Sequence, residues 1–104
     1  MAKPRKIITL ARLARSMAGE TQEGFAARLG IALAVQIRRE LGQVEPPAIA
    51  RQLYRVVIAA AAVGVLEDLS PALDYEPRSE ATSYLRIAEQ LTAAGLSALI
   101  PRAA

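Results

Sequence analysis

The twelve residues GETQEGFAARLG, Gly19 to Gly30, hold a short helix between two glycines. Thr21 stands where an N-cap belongs, because its hydroxyl can accept from backbone N–H groups two or three residues on. Gln22 to Leu29 then forms the helix, with Phe25, Ala26 and Leu29 on one face. Gly30 follows at the position where a left-handed residue ends a helix at no steric cost. Upstream, Ile7, Leu10, Ala11, Ala14 and Met17 recur at helical spacing, with Leu13 and Ala18 beside them and Gly19 as the stop. Thr9, Arg12, Arg15 and Ser16 fall on the polar side of that helix. Downstream, a third helix is expected from about Ala32 to Leu41. Ala34, Ile37 and Leu41 share one face, expected to turn inward, while Gln36, Arg39 and Leu33 point elsewhere. Gly42 ends it, and Pro46 and Pro47 keep the next turn extended.

A longer helix begins near Pro47 and runs towards Val63. Ile49, Leu53, Val56, Ala60 and Val63 form a heptad-like stripe, which Val57 and Ile58 broaden beyond one face. So wide an apolar surface predicts either the centre of the core or a contact with a partner subunit. Leu66 to Leu73 reads as a short helix or turn broken at Pro71, and DYEPRS as a connector. Ser79 caps a last helix, Glu80 to Ala94, with Ala81, Leu85, Ala88 and Leu91 inward and Gly95 as its stop. Leu96, Leu99 and Ile100 are too apolar to hang free and are expected to dock. The fold class is therefore all-α: a small helical bundle with an extra C-terminal helix. It divides into a flexible basic arm (1–6), a first helical unit (7–69) and a C-terminal extension (70–104) for dimerisation or core capping.

Composition narrows the function. The 104 residues are 53% hydrophobic but only 4% aromatic, a mixture that favours closely packed helices over a sheet. There is no Cys, so no disulfide or thiolate metal site forms, and no His, which removes the commonest general base and metal ligand. An enzyme is not expected, nor is a cofactor or a metal. Glu67, Asp68, Asp74 and Glu76 form an acidic cluster read as solvated surface, and Tyr54, Tyr75 and Tyr84 are too scattered to stack bases. The apolar run VVIAAAAVGVL is too short to span a bilayer, and Arg12 and Arg15 interrupt any signal-peptide core. A soluble, cytoplasmic chain without a membrane partner is the expectation. Charge is lopsided within the overall +3. Residues 1–55 carry ten Lys and Arg against four acids, whereas residues 56–104 carry three Arg against six acids. A basic front suggests a polyanionic partner.

TQEGFAARLG (Thr21 to Gly30) and RELGQVEPP (Arg39 to Pro47), with VGVLEDL (Val63 to Leu69) beyond them, carry a resemblance. Across residues 10–66 the chain resembles the Xre/Cro-type helix-turn-helix domain of phage and bacterial repressors and of many antitoxins. The resemblance implies that residues 32–40 are a recognition helix in the major groove of double-stranded DNA. It implies base-reading roles for Leu33, Ala34 and Arg38, with Arg38 able to pair bidentately with guanine. It implies a phosphate or base contact for Gln22 at the groove margin, and a DNA-following arm bearing Arg5 and Lys6. The chain departs from the family pattern at Gln36 and Arg39, usually apolar, and at Ile37, usually polar. Either the third helix is rotated so that Gln36 and Arg39 turn towards DNA, or the segment no longer reads the major groove. With Thr21 and Arg28 added from the second helix, the candidate DNA-contacting residues are Arg5, Lys6, Thr21, Gln22, Arg28, Leu33, Ala34, Gln36, Arg38 and Arg39.

The leading expectation is a sequence-specific DNA-binding transcriptional regulator, a repressor in preference to an activator. It would be nucleoid-associated and a homodimer on a palindromic site, since one short recognition helix reads few base pairs. The alternative is a helical protein-interaction module, such as an antitoxin or adaptor, using Leu33, Ala34 and Val35 on a protein partner.

Overall fold

Two threonines set where the first helices begin. Thr9 is extended (φ −70°, ψ 157°) and its hydroxyl accepts from the Arg12 N–H, so α1 spans Leu10–Met17 rather than starting at Ile7. Thr21 does the same for α2, Gln22–Leu29, accepting from the Gly24 N–H at 3.0 Å. Gly30 ends α2 at φ 68°, a left-handed conformation in which a Cβ would meet the backbone. α3 follows as Leu33–Glu40, α4 as Ala48–Ala62 and α5 as Glu80–Ala93. Ser79 caps α5 by accepting from the Thr82 N–H at 3.0 Å. A 3-10 turn, Ser97–Leu99, closes the chain back on itself. The computed structural model describes residues 8–66 and 79–100, and among these every regular element is helical. The basic arm, the acidic cluster and, apart from Leu66 and Ser79, the LEDLSPAL and DYEPRS stretches fall outside the described residues.

α4 is the axle. It packs against α1 on one side and α5 on the other, while α3 rests on α1 and α2. Leu53, Tyr54, Val56, Val57 and Ala60 of α4 are fully buried. Around them gather Ala11 and Ala14 of α1, Phe25 and Leu29 of α2, and Ile87 and Leu91 of α5. The Phe25 and Tyr54 rings stack at 6.1 Å between centroids, which ties α2 to the axle. Alanines at the helix contacts let the axes approach closely, the packing expected of a composition rich in small residues and poor in aromatics. Leu96, Leu99 and Ile100 are half-buried and pack against this core, as expected of so apolar a tail.

Two apolar faces differ from expectation. In α5 only Leu91 of the four expected inward residues is buried. Ile87 and Ser83 join it, Ala81 is exposed and Leu85 is 58% exposed. The inward stripe is thus 83, 87 and 91, an i, i+4 row that the alanines had masked. In α4 the stripe holds at Leu53, Val56 and Ala60, but Val63 is 53% exposed because the helix ends beside it. Among the described residues, no helix is long and apolar enough to cross a membrane.

Candidate nucleic-acid interface

α3 is amphipathic with its sign reversed. Gln36 is fully buried, and Arg39 and Glu40 nearly so. Leu33 is 41% exposed and Leu41 65%, Ala34 and Arg38 are exposed, and Ile37 is half-buried. Positions 36, 39 and 40 follow the i, i+3, i+4 spacing that normally marks an apolar inner face, and here that face is polar. The expected inner set Ala34, Ile37 and Leu41 is therefore corrected. So is the expectation that rotation turns Gln36 and Arg39 towards DNA. The helix is not rotated that way; both side chains are buried and hydrogen-bonded inside.

Four other helices supply partners for these side chains. Arg15 of α1 donates from Nε to Glu40 Oε2 at 2.8 Å and from an Nη to Glu40 Oε1 at 2.9 Å, a two-pronged pair. Its other Nη reaches the Glu20 carbonyl at 3.2 Å. Gln36 Nε2 donates to Glu40 Oε2 at 2.8 Å, and Gln22 Nε2 to Glu40 Oε1 at 3.3 Å. The Tyr54 hydroxyl of α4 donates to Gln36 Oε1 at 3.1 Å and accepts from an Arg39 Nη at 3.0 Å. Arg39 also forks onto Glu80, the first residue of α5, at 2.8 and 3.2 Å. One chain of bonds thus runs Arg15–Glu40–Gln36–Tyr54–Arg39–Glu80 through α1, α3, α4 and α5. Among the described residues no buried side-chain nitrogen or oxygen lacks a partner, which is what makes so polar an interior tolerable.

The electrostatics follow from the partners. Burial alone would raise the Glu40 carboxyl, but hydrogen bonds from Arg15, Gln36 and Gln22 outweigh it and hold the group below its ordinary value. Burial would likewise lower Arg39, and Glu80 and Tyr54 more than offset it. Burial dominates at Tyr54, whose hydroxyl is pushed up despite the neighbouring guanidinium. At the pH of a cell Glu40 is therefore a buried carboxylate, Arg39 a buried guanidinium and Tyr54 a neutral phenol.

The remaining expected contacts fall into three groups. Arg5 and Lys6 lie outside the described residues. Thr21 is exposed with its hydroxyl used as a cap, Gln22 is half-buried on Glu40, and Arg28 pairs with Glu20 at 2.7 Å. Gly24 lies beneath that last contact: a Cβ there would meet the Glu20 carboxylate at 3.0 Å. Leu33, Ala34 and Arg38 come together on the open side of α3. The Arg38 guanidinium forms no ion pair or hydrogen bond with the described residues, unlike those of Arg15, Arg28, Arg39 and Arg51.

Glu40, Tyr54 and Glu80 are the positioning residues that sequence reasoning misses, and Arg15, which the sequence places on the polar side of α1 as surface charge or a phosphate contact, joins them. A signal was present: Gln36, Arg39 and Glu40 fall on one helical face, and α4 carries one tyrosine inside an otherwise apolar stripe. No group of acids able to hold a metal ion occurs among the described residues. No family model matches this sequence, and no curated protein or solved structure matches it either.

Proposed function

We propose that this chain binds double-stranded DNA sequence-specifically, as a transcriptional regulator of the repressor kind acting as a homodimer. The observation that carries the reading is the open side of α3. A rod of eight residues is held from behind by a saturated polar network and offers an unpaired arginine at its front. Rigidity matters because a recognition helix that wobbles pays ordering entropy on binding. The exposed Thr21 marks the N-terminal end of α2, where backbone N–H groups favour a phosphate. The dimer is inferred from reach: one short helix touches few base pairs, and two copies one duplex turn apart read a palindrome.

Selection from a randomised duplex library tests this directly. The expected result is a palindromic consensus whose affinity falls steeply as salt rises, because each neutralised phosphate releases counterion. Arg38→Ala is expected to cost about 1–3 kcal/mol at one base position and to relax preference there, read by fluorescence anisotropy. Equal affinity for the consensus and a scrambled duplex rules the reading out.

A second reading has its own observation: the apolar Leu33, Leu41 and Val44 are 41%, 65% and 40% exposed. A helical protein-interaction module would bury such side chains against a partner. A specific co-purifying protein, lost on Leu33→Glu, together with no duplex consensus, decides for this alternative.

A further inference from the structure

We infer that the base reading done by α3 is chiefly a reading of thymine methyl groups, with a single guanine taken by Arg38. The inference rests on the DNA reading above and deepens it by naming the class of site. The polar side chains of α3 that would ordinarily bond base edges are spent inside: Gln36 on Glu40 and Tyr54, Arg39 on Tyr54 and Glu80, Glu40 on Arg15. What remains on the open side is Leu33, Ala34, the half-buried Ile37 and Arg38 along the helix, with Leu41 at its end. Three of the four forward residues offer no donor or acceptor at all.

The major groove displays two kinds of feature to such a face. Hydrogen-bonding edges belong to every base pair, but an apolar surface belongs to thymine alone, through its C5 methyl. Pressing Leu33, Ala34 or Ile37 onto the donor-rich or acceptor-rich edge of a G·C pair strands that edge without water. Pressing them onto a thymine methyl buries apolar area on both sides instead. Arg38 is the exception, with a free guanidinium whose fork matches O6 and N7 of guanine. Its positive charge also makes the duplex, rather than an apolar protein groove, the complementary occupant of this face.

The test alters the DNA and leaves the protein untouched. The duplex recovered most often from the randomised library is resynthesised with deoxyuridine at one thymine after another, which deletes the methyl and keeps every hydrogen bond. Affinity is expected to fall about fourfold for each contacted methyl, as burial of one such group implies. Uracil at thymines outside the consensus is expected to change nothing. A separate duplex with 7-deazaguanine at the consensus guanine is expected to weaken wild type but not Arg38→Ala. If a consensus exists and uracil leaves its affinity unchanged, or weakens binding equally outside it, the methyl reading is overturned while DNA recognition stands. A selection with no consensus overturns both, and that outcome is distinguishable because it precedes any base substitution.

Discussion

α2 and α3 are both eight residues long and stand on either side of one turn, yet they bury opposite chemistry. α2 hides Phe25, Ala26 and Leu29, exposes Glu23 and leaves Arg28 half-buried. α3 hides Gln36, Arg39 and Glu40 and exposes leucine and alanine. The difference lies in what waits on the far side. α2 faces the ring of Tyr54 and the apolar core, whereas α3 faces Arg15, the Tyr54 hydroxyl and Glu80. Helical period decides which residues share a face; which face turns inward is decided by the partners other helices supply. A polar inner face stabilises little relative to an apolar one, but it is intolerant of partial pairing, so it fixes the rotation of α3 about its axis. For a helix whose opposite side is meant to read a surface, a fixed rotation is the useful property.

The severest way to break the contrast is at Glu40, which accepts from three side chains. Glu40→Ala leaves the fully buried Gln36 amide and the Arg15 guanidinium without their acceptor. Destabilisation of about 3–5 kcal/mol is expected, measured as a shift in urea midpoint at constant slope. A loss near that of a surface substitution would mean that the inner face of α3 is not sealed.

Next comes the pair that ties α3 to the C-terminal helix. Arg39→Leu and Glu80→Gln, alone and together, form a double-mutant cycle, and a coupling of about 1–3 kcal/mol is expected. Additive costs would mean that α5 packs on α4 without holding α3. Glu80→Gln is also expected to weaken consensus DNA more than its stability cost explains at saturating folded fraction, since among the described residues Glu80 is hydrogen-bonded to α3 through Arg39.

Acid is a gentler probe of the same face. The Glu40 carboxyl is held below its ordinary value of 4.5 in the folded chain. A folded value under the unfolded one means that its contribution is complete above the unfolded value and drains away as pH falls through the folded one. Stability is therefore expected to drop below about pH 4.5, and Glu40→Gln to flatten that part of the profile, from urea midpoints taken across the acid range. An unchanged profile would place Glu40 in solvent.

Much of the fold was legible in the sequence because the stops are local chemistry. Thr21, Gly30 and Ser79 act through backbone geometry within a few residues of themselves, so no tertiary knowledge is needed to place them. The α4 stripe at Leu53, Val56 and Ala60 was equally readable, because a helix buried on several sides leaves little room for error. The site was half legible. Leu33, Ala34 and Arg38 emerge together on the open face, but Gln36 and Arg39 were assigned outward on the rule that polar residues face water. That rule fails when distant residues complete the hydrogen bonds, and Arg15 and Glu80 stand 25 and 41 positions away from Glu40 and Arg39. The same failure in milder form misplaced Leu85, whose exposure depends on which row of α5 meets α4.

The smallest expected effect sharpens the contrast from the other side. Leu41 is the most exposed of the large apolar residues in the described chain and caps the open face of α3. If apolar residues there serve a bound surface and not the core, Leu41→Gln removes almost no buried area on folding. Its cost is expected to stay within about 0.5 kcal/mol, an order below that of Glu40→Ala one residue earlier. Neighbours in sequence would then differ in the direction opposite to hydrophobic ranking, the charged residue stabilising and the leucine indifferent. A cost above 2 kcal/mol at Leu41, by the same urea titration, would instead mark it as core and require α3 to turn its apolar side inward.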